Sequence, residues 1–279
     1  MKKLLNLVLL LFVINVTILA QFQGQGTELD PYKIYKKEDL EKLSDLLKDD
    51  NTYNQFYNKH YKLMNNIRDS VRTVIGRNRW FEGVFNGQGF KITLAINQLD
   101  SVGLYFRGLF GCIKNAKLLN IVVDGYVKYI PFEQEDDIYG NRSFFTGAIV
   151  GRSFNSEIYN CVNFANVSIN DVCIGGVVGH TDNSGNTQHC INLGSIKGCR
   201  QVGGIVGHSE TQGPKTDKIV NCINSGLLEA GIDRVGGITA RGDANNTPML
   251  IPLINNCINT GVLISPSSEE IYGIGPDGK

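Results

Sequence analysis

Short apolar runs bounded by glycine recur along this chain from residue 108 onward, and each run is rich in valine or isoleucine. Two clear copies are Gly-Gly-Val-Val-Gly at 175–179 and Gly-Gly-Ile-Val-Gly at 203–207, and looser copies lie at 108–111, 147–151 and 236–240. Short β-branched runs between glycines are typical of strands rather than helices. The recurring glycines are Gly108, Gly111, Gly147, Gly151, Gly175, Gly176, Gly179, Gly203, Gly204, Gly207, Gly236 and Gly237.

A second unit follows each glycine unit and reads Asn/His-Cys-apolar-Asn. Residues at one position of a repeat stack in a column when the repeats stack. The unit therefore predicts one column of thiols and one column of amides. The columns are Cys161, Cys190, Cys222 and Cys257, and Asn163, Asn192, Asn224 and Asn259.

The spacing of the two units indicates a solenoid. The stretches from each cysteine to the end of the next glycine unit, 161–179, 190–207 and 222–240, are almost equal in length. The reverse stretches, 151–161, 179–190, 207–222 and 240–257, lengthen along the chain. One half of the repeat is fixed and the other accepts insertions, as in stacked coils with variable loops on one side.

The length of the repeat favours one solenoid class. A period of about 28 residues fits a parallel β-helix with glycine at tight corners, where it can adopt positive φ. A leucine-rich repeat and a β-propeller are competing folds, but the leucine spacing is absent and a blade needs about four strands.

Residues 1–60 differ from the repeats. A positive Lys2-Lys3 pair, an apolar stretch at 4–19 and a small residue at Ala20 predict a secretory signal peptide over 1–20. A helix over about 37–48 would have one apolar face, formed by Leu40, Leu43, Leu46 and Leu47. We predict an N-terminal cap with this one helix over 21–60, and a β-helix domain over 61–279 with repeats over about 104–279.

The repeats resemble the GLUG motif of bacterial surface proteins, in Gly-Gly-Ile-Val-Gly followed by Ile-Val-Asn-Cys-Ile-Asn-Ser-Gly at 219–226. The segments Gly-Thr-Glu-Leu-Asp-Pro-Tyr-Lys-Ile at 26–34 and Phe-Glu-Gly-Val-Phe-Asn-Gly-Gln-Gly at 81–89 resemble the opening parts of such proteins. The resemblance implies an all-β, right-handed parallel β-helix and a surface or adhesive role. It brings no catalytic residues.

Candidate chemistry is sparse. The cysteine column is interpreted as buried thiols, with disulfides or a metal site as alternatives, and the asparagine column as structural rather than ligand-binding. His180 and His208 share a column with Arg152 and Arg241, which predicts a cationic surface feature, with metal binding as the alternative. Carboxylates crowd residues 133–137, where an acidic surface loop, calcium binding or glycan cleavage are alternatives. Trp80, beside Arg77 and Arg79, is interpreted as core packing or a contact for a sugar or protein.

These features favour a secreted or cell-surface repeat protein that binds a glycan or protein without catalysis. We expect no catalytic, cofactor-binding or metal-ligating residues, and no membrane span after signal cleavage. A nucleic-acid partner is disfavoured because 27 basic and 27 acidic residues leave no net charge. A polysaccharide-cleaving β-helix enzyme is the alternative function. The insertions at 181–188, 209–218 and 242–252 are expected to form one polar strip along the solenoid.

Overall fold

The protein is an all-β parallel solenoid, as the glycine period predicts. The computed structural model describes residues 22–77, 79–97, 106–128, 144–170, 172–210, 216–243, 252–266 and 271–275. The predicted signal peptide and the acidic segment 133–137 lie outside these residues.

Each regular coil passes through four parallel sheets in a fixed order, here named D, C, A and B. In one coil the chain runs through Phe145–Gly147 in sheet D, Val150–Phe154 in sheet C and Glu157–Tyr159 in sheet A. It then crosses sheet B in two short strands, Val162–Asn163 and Asn166–Ser168. The next coil repeats this path directly against the first.

The strands of each sheet are as follows, in chain order. Sheet A contains Tyr32–Ile34, His60–Leu63, Val84–Asn86, Lys117–Leu119, Glu157–Tyr159, Asn186–Gln188, Lys218–Val220 and Leu253–Asn255. Sheet B contains Ile67–Val71, Lys91–Asn97, Val122–Lys128, Val162–Asn163, Asn166–Ser168, Ile191–Asn192, Ile196–Gly198, Ile223–Asn224, Leu228–Ala230, Ile258–Asn259 and Leu263–Ile264. Sheet C contains Phe110–Lys114, Val150–Phe154, Val178–Asp182, Val206–Glu210 and Thr239–Asp243. Sheet D contains Phe106–Arg107, Phe145–Gly147, Cys173–Gly175, Gln201–Gly203, Val235–Gly236 and Ile271–Tyr272.

Pairing between neighbouring coils is in register, so equivalent repeat positions face each other. Asn163 pairs with Asn192, and Asn192 pairs with Asn224. The interior is filled by columns of apolar side chains, such as Ile158 in sheet A and Val167 in sheet B, which are almost fully buried. No coil could bury these side chains alone, so stacking supplies the core.

The predicted helix is present as α1, Lys37–Lys48, and its four leucines are buried in the same core as the strands. The Ser44 hydroxyl donates to the Val74 carbonyl oxygen at 3.0 Å, which fixes the helix against the chain that enters the regular coils. The helix therefore covers apolar side chains at the N-terminal end of the solenoid.

A second short helix, α2, follows over Asp50–Phe56, where the sequence interpretation had only one helix. The Asp49 side chain accepts a hydrogen bond from the Asn51 backbone amide and so caps the N-terminus of α2. Its segment buries only Phe56, so it lacks the repeated apolar face that identifies α1 from sequence. Sheet A also begins inside the N-terminal segment, because Tyr32–Ile34 pairs in parallel with the strand His60–Leu63.

The repeat glycines are needed for close approach more than for positive φ. Among them only Gly108 has positive φ, at 151°. A β-carbon on Gly176 would lie 2.2 Å from the Gly204 carbonyl oxygen and 2.5 Å from Asn192 Cγ. The sequence-based explanation for these glycines was therefore wrong for most of them.

Positive φ falls instead on the residue before each cysteine of the column, and on Asn120 at the equivalent position of the first copy. Asn120, Asn160, His189, Asn221 and Asn256 all have φ between 51° and 55°. Asparagine and histidine adopt this left-handed conformation more often than most residues with a β-carbon. This position therefore forms the corner between sheets A and B.

Gly176→Ala should destabilise the solenoid by about 2–3 kcal/mol, because neither backbone can move without breaking sheet pairing. Gly273→Ala is the matched control, since a β-carbon there meets nothing within 4 Å. Urea denaturation of both variants measures the difference. Equal stability of the two variants would contradict the close-approach role.

Candidate functional site

The asparagine column forms a continuous ladder of side-chain amides inside the solenoid. Asn163 Nδ2 donates to Asn192 Oδ1 at 2.8 Å, Asn192 to Asn224 at 2.7 Å, and Asn224 to Asn259 at 2.8 Å. Asn163, Asn192 and Asn224 are fully buried.

Each amide also closes the turn that follows it. Asn163 Nδ2 donates to the Ala165 carbonyl oxygen at 3.0 Å, and the Ala165 amide donates to Asn163 Oδ1 at 2.8 Å. Asn224 makes the same pair of contacts with Gly226. An amide has two donor hydrogens and one acceptor oxygen, so this geometry leaves it little capacity for a ligand.

The cysteine column lies beside the amide ladder. Cys161, Cys190 and Cys222 are fully buried, and Cys257 is half-buried in the C-terminal coil. Each thiol lies 3.2–3.4 Å from the carbonyl oxygen two residues before it, as Cys190 Sγ does from Gln188 O at 3.2 Å. All seven cysteines carry thiols and none forms a disulfide.

Cys161, Cys190 and Cys222 should resist a maleimide reagent until the protein unfolds. Burial raises the pKa of the Cys190 thiol, which removes the reactive thiolate as well as access. Mass spectrometry of labelled peptides, with and without denaturant, measures the protection. Cys257 is the internal control. Its contact with Cys222 raises the pKa of that thiol as well, but Cys257 is only half-buried and should react sooner through its greater access to the reagent. Equal rates at Cys190 and Cys257 in the native protein would count against the buried column.

The histidine column is buried, so the predicted cationic surface was wrong. Arg152, His180, His208 and Arg241 do pair in register along sheet C. His180 and His208, however, are only 2% and 9% exposed. Phe145 from sheet D stacks on the His180 ring at 4.3 Å with an interplanar angle of 12°, which accounts for part of this burial.

Asp182 and Glu210, which lie two positions after the two histidines on their strands, place negative charge beside this column. Arg152 Nη2 lies 3.0 Å from Asp182 Oδ2, and His180 Nε2 lies 3.2 Å from Glu210 Oε2. His180 Nδ1 lies 3.3 Å from the same Asp182 oxygen, within ion-pair distance but without hydrogen-bond alignment. Burial alone would lower the pKa of His180, but Asp182 and Glu210 outweigh it and raise that pKa.

Sequence reasoning missed this network, although the signal was present. His180 and Asp182, like His208 and Glu210, are two residues apart and so lie on one face of their strands. No group of three or more His, Cys, Asp or Glu side chains in the described ranges has the arrangement of a metal site. Both His180 nitrogens face carboxylates instead.

Asp217 is a second buried acid near this network. Its carboxylate accepts hydrogen bonds from Ser209 Oγ at 2.8 Å and from the Gly185 amide of the preceding coil at 2.6 Å. Burial raises the pKa of Asp217 to about 6, against these two hydrogen bonds. Asp217 therefore ties the end of a variable segment to the coil below it.

Asp217→Asn should stabilise the protein at pH 7.5 by up to about 3 kcal/mol. The folded pKa lies above the ordinary value of 3.8, so this group's stabilising contribution is complete below pH 3.8 and is lost as pH rises through about 6. Asparagine does not titrate. Its Oδ1 can accept from the Gly185 amide, and its Nδ2 can donate to Ser209 Oγ, so the second hydrogen bond is kept with its direction reversed. Urea denaturation at pH 4 and pH 7.5 should show the gain only at the higher pH.

Asp45→Asn is the control for this measurement, because Asp45 lies on the exposed face of α1 with 75% of its side chain exposed. Its stability should differ little from the unmodified protein at either pH. A gain for Asp217→Asn that is equal at both pH values would contradict the buried-carboxylate explanation.

The variable segments connect sheet C to sheet A along one corner, here called the C–A corner. Successive connections are 115–116, 155–156, 183–185, 211–217 and 244–252, so they lengthen along the solenoid. The predicted starts of two insertions, at residues 181 and 209, were wrong. Thr181, Asp182 and Ser209 are buried residues of sheet C strands and do not belong to the polar strip. Residues 211–215 and 244–251 lie outside the described part of the chain.

The fold has a counterpart among solved structures. A crystal structure from Bacteroides ovatus, described as a "putative immunoglobulin A1 protease", matches 91% of this chain and 87% of that chain. The TM-score is 0.51 and the sequence identity is 18%, so the likeness shows the fold alone. No protein-family model and no curated protein matches the sequence. Neither described helix is long and apolar enough to cross a membrane.

Proposed function

We propose that the protein is an exported, non-catalytic repeat protein that binds a glycan or protein partner through its C–A corner. The observation that carries this proposal is the lengthening of successive connections at one corner while the strands on both sides stay in register. Equivalent positions of a solenoid lie on one side, so these segments start and end along one line. The connections along this line can change in length and sequence without loss of the buried core.

The recurring polar side chains inside the coils already contact one another or the backbone. This supports binding at the corner rather than within the coils. The amides form hydrogen bonds with one another, and the thiols contact backbone carbonyls. The buried carboxylates are also engaged: Asp182 contacts Arg152 and His180, Glu210 contacts His180, and Asp217 contacts Ser209. Glycan cleavage by these groups would require breaking contacts that hold the coils together.

The export and surface parts of this proposal rest on sequence. Residues 1–20 have the charge and apolar pattern of a secretory signal peptide. The resemblance to GLUG repeats implies a surface role and rests on the motif residues themselves.

The test shortens the corner without touching its anchors. Deleting 211–215 and 244–251 leaves Ser209, Asp217 and every described strand in place. We expect the variant to keep its β-sheet circular dichroism and lose attachment to the glycans or matrix proteins that the full chain binds. Unchanged attachment by the folded variant, or release of oligosaccharides from polysaccharide substrates by the full chain, would overturn the proposal.

A further inference from the structure

A cluster of aromatic rings and cations lies where the C–A corner begins. Lys114 and Phe154 end neighbouring strands of sheet C and pair in register, and Trp80 packs beside Phe154 with 6.2 Å between ring centroids. The Tyr53 hydroxyl of α2 donates to the Trp80 carbonyl oxygen at 2.9 Å. The cluster, here called the aromatic–cation cluster, consists of Tyr53, Arg79, Trp80, Lys114, Arg152 and Phe154.

Each cation of the cluster lies over an aromatic ring. The Arg152 guanidinium carbon is 5.7 Å from the Trp80 ring centroid, and Lys114 Nζ is 5.8 Å from that of Phe154. The Arg79 guanidinium carbon is 5.0 Å from that of Tyr53. Contact with a ring face holds a cation in place without using its N–H donors. The donors of Lys114, and those of the arginines that do not face Asp50 or Asp182, can therefore face an anion.

The cluster holds three cations, and carboxylates lie near it. Burial, and after it the nearby Glu82 carboxylate, raise the pKa of Tyr53, so Glu82 lies beside the cluster. Asp50 pairs with Arg79, and the buried Asp182 pairs with Arg152. Lys114 makes no ion pair with any acidic residue in the described ranges, and its side chain is partly exposed. An anion at the cluster would meet Lys114 first and the outer donors of the two arginines next.

The corner is open at this point. The connections after Lys114 and Phe154 are short, 115–116 and 155–156, in contrast to 211–217 and 244–252 in the later coils. The six cluster residues are all partly exposed, so the rings and cations reach the surface together.

We propose that the aromatic–cation cluster binds an anionic saccharide, one that carries carboxylate or sulfate groups. This inference rests on the proposed function, since it names the ligand class for the N-terminal end of the same corner. The flat apolar face of a pyranose ring suits contact with aromatic side chains, and its carboxylate or sulfate suits Lys114 and the arginines. An acidic peptide would satisfy the cations but has no rigid apolar face for the rings.

Trp80 makes the proposal directly measurable, because it is the one tryptophan of the chain. Titration with heparin oligosaccharides and with oligogalacturonate should change its fluorescence in a saturable way, while neutral dextran should not. Affinity should fall as salt rises from 50 mM to 500 mM, because salt screens the attraction between the cations and the ligand.

Lys114→Ala should weaken binding by about tenfold, the size expected for loss of a charge-assisted contact. Lys197→Ala is the matched control, since Lys197 is an exposed lysine of sheet B that pairs with Glu229 at 2.7 Å. Calorimetry of both variants gives the affinities, and circular dichroism confirms their folding.

The outcomes separate saccharide binding at the cluster from partner binding by the long connections of the C–A corner. Binding that is about tenfold weaker in Lys114→Ala but unchanged in Lys197→Ala and in the variant without 211–215 and 244–251 supports the cluster. No fluorescence change with either anionic saccharide overturns it, even if the shortened variant loses attachment to its partner. Equal binding of polyglutamate also overturns it, because the site would then recognise charge alone.

Discussion

The strands of neighbouring coils are parallel and in register, and the rest of the structure depends on this stacking. It places each side chain against the same repeat position of the coils above and below. Groups that tolerate a copy of themselves can fill such a column without further partners. A carboxamide can, since its N–H donates to the oxygen of the next amide, as Asn163, Asn192 and Asn224 do. Thiols and branched aliphatic side chains can also stack, and they fill the other inner columns.

Charged side chains repel copies of themselves, so a column such as Asp182 and Glu210, which pair in register, needs opposite charges from neighbouring coils. On the surface Lys117 pairs with Glu157 of the next coil at 3.3 Å. In sheet C the pairing is diagonal: Arg152 contacts Asp182 of the following coil, and His180 contacts Glu210 of the one after. The same stacking rule therefore accounts for both the uniform amide column and the mixed column of arginine and histidine.

The sequence predicts those parts of the fold that repeat. The solenoid, helix α1 and the membership of the columns follow from periodic residues alone. Burial of His180 does not, because it depends on Phe145, which approaches from sheet D of another coil. Helix α2 also escapes prediction, since it buries only Phe56 and has no period. The requirement for glycine at position 176 also depends on another coil, because the Gly204 carbonyl oxygen lies where a β-carbon would be placed.

Arg152 belongs both to the buried network of histidines and carboxylates and to the aromatic–cation cluster at the surface. Asp182 is almost fully buried and holds the Arg152 guanidinium through Nε at 3.1 Å and Nη2 at 3.0 Å. The same guanidinium reaches the Trp80 ring at the surface. Because Asp182 also faces His180, whose pKa is raised, the charge beneath Arg152 is balanced while His180 is protonated. Loss of that proton would remove one of the two positive charges that face Asp182 and leave Arg152 as the other. The charge balance around a surface cation thus includes a proton held inside the stack, and this connects the constraint of coil stacking to the proposed binding surface.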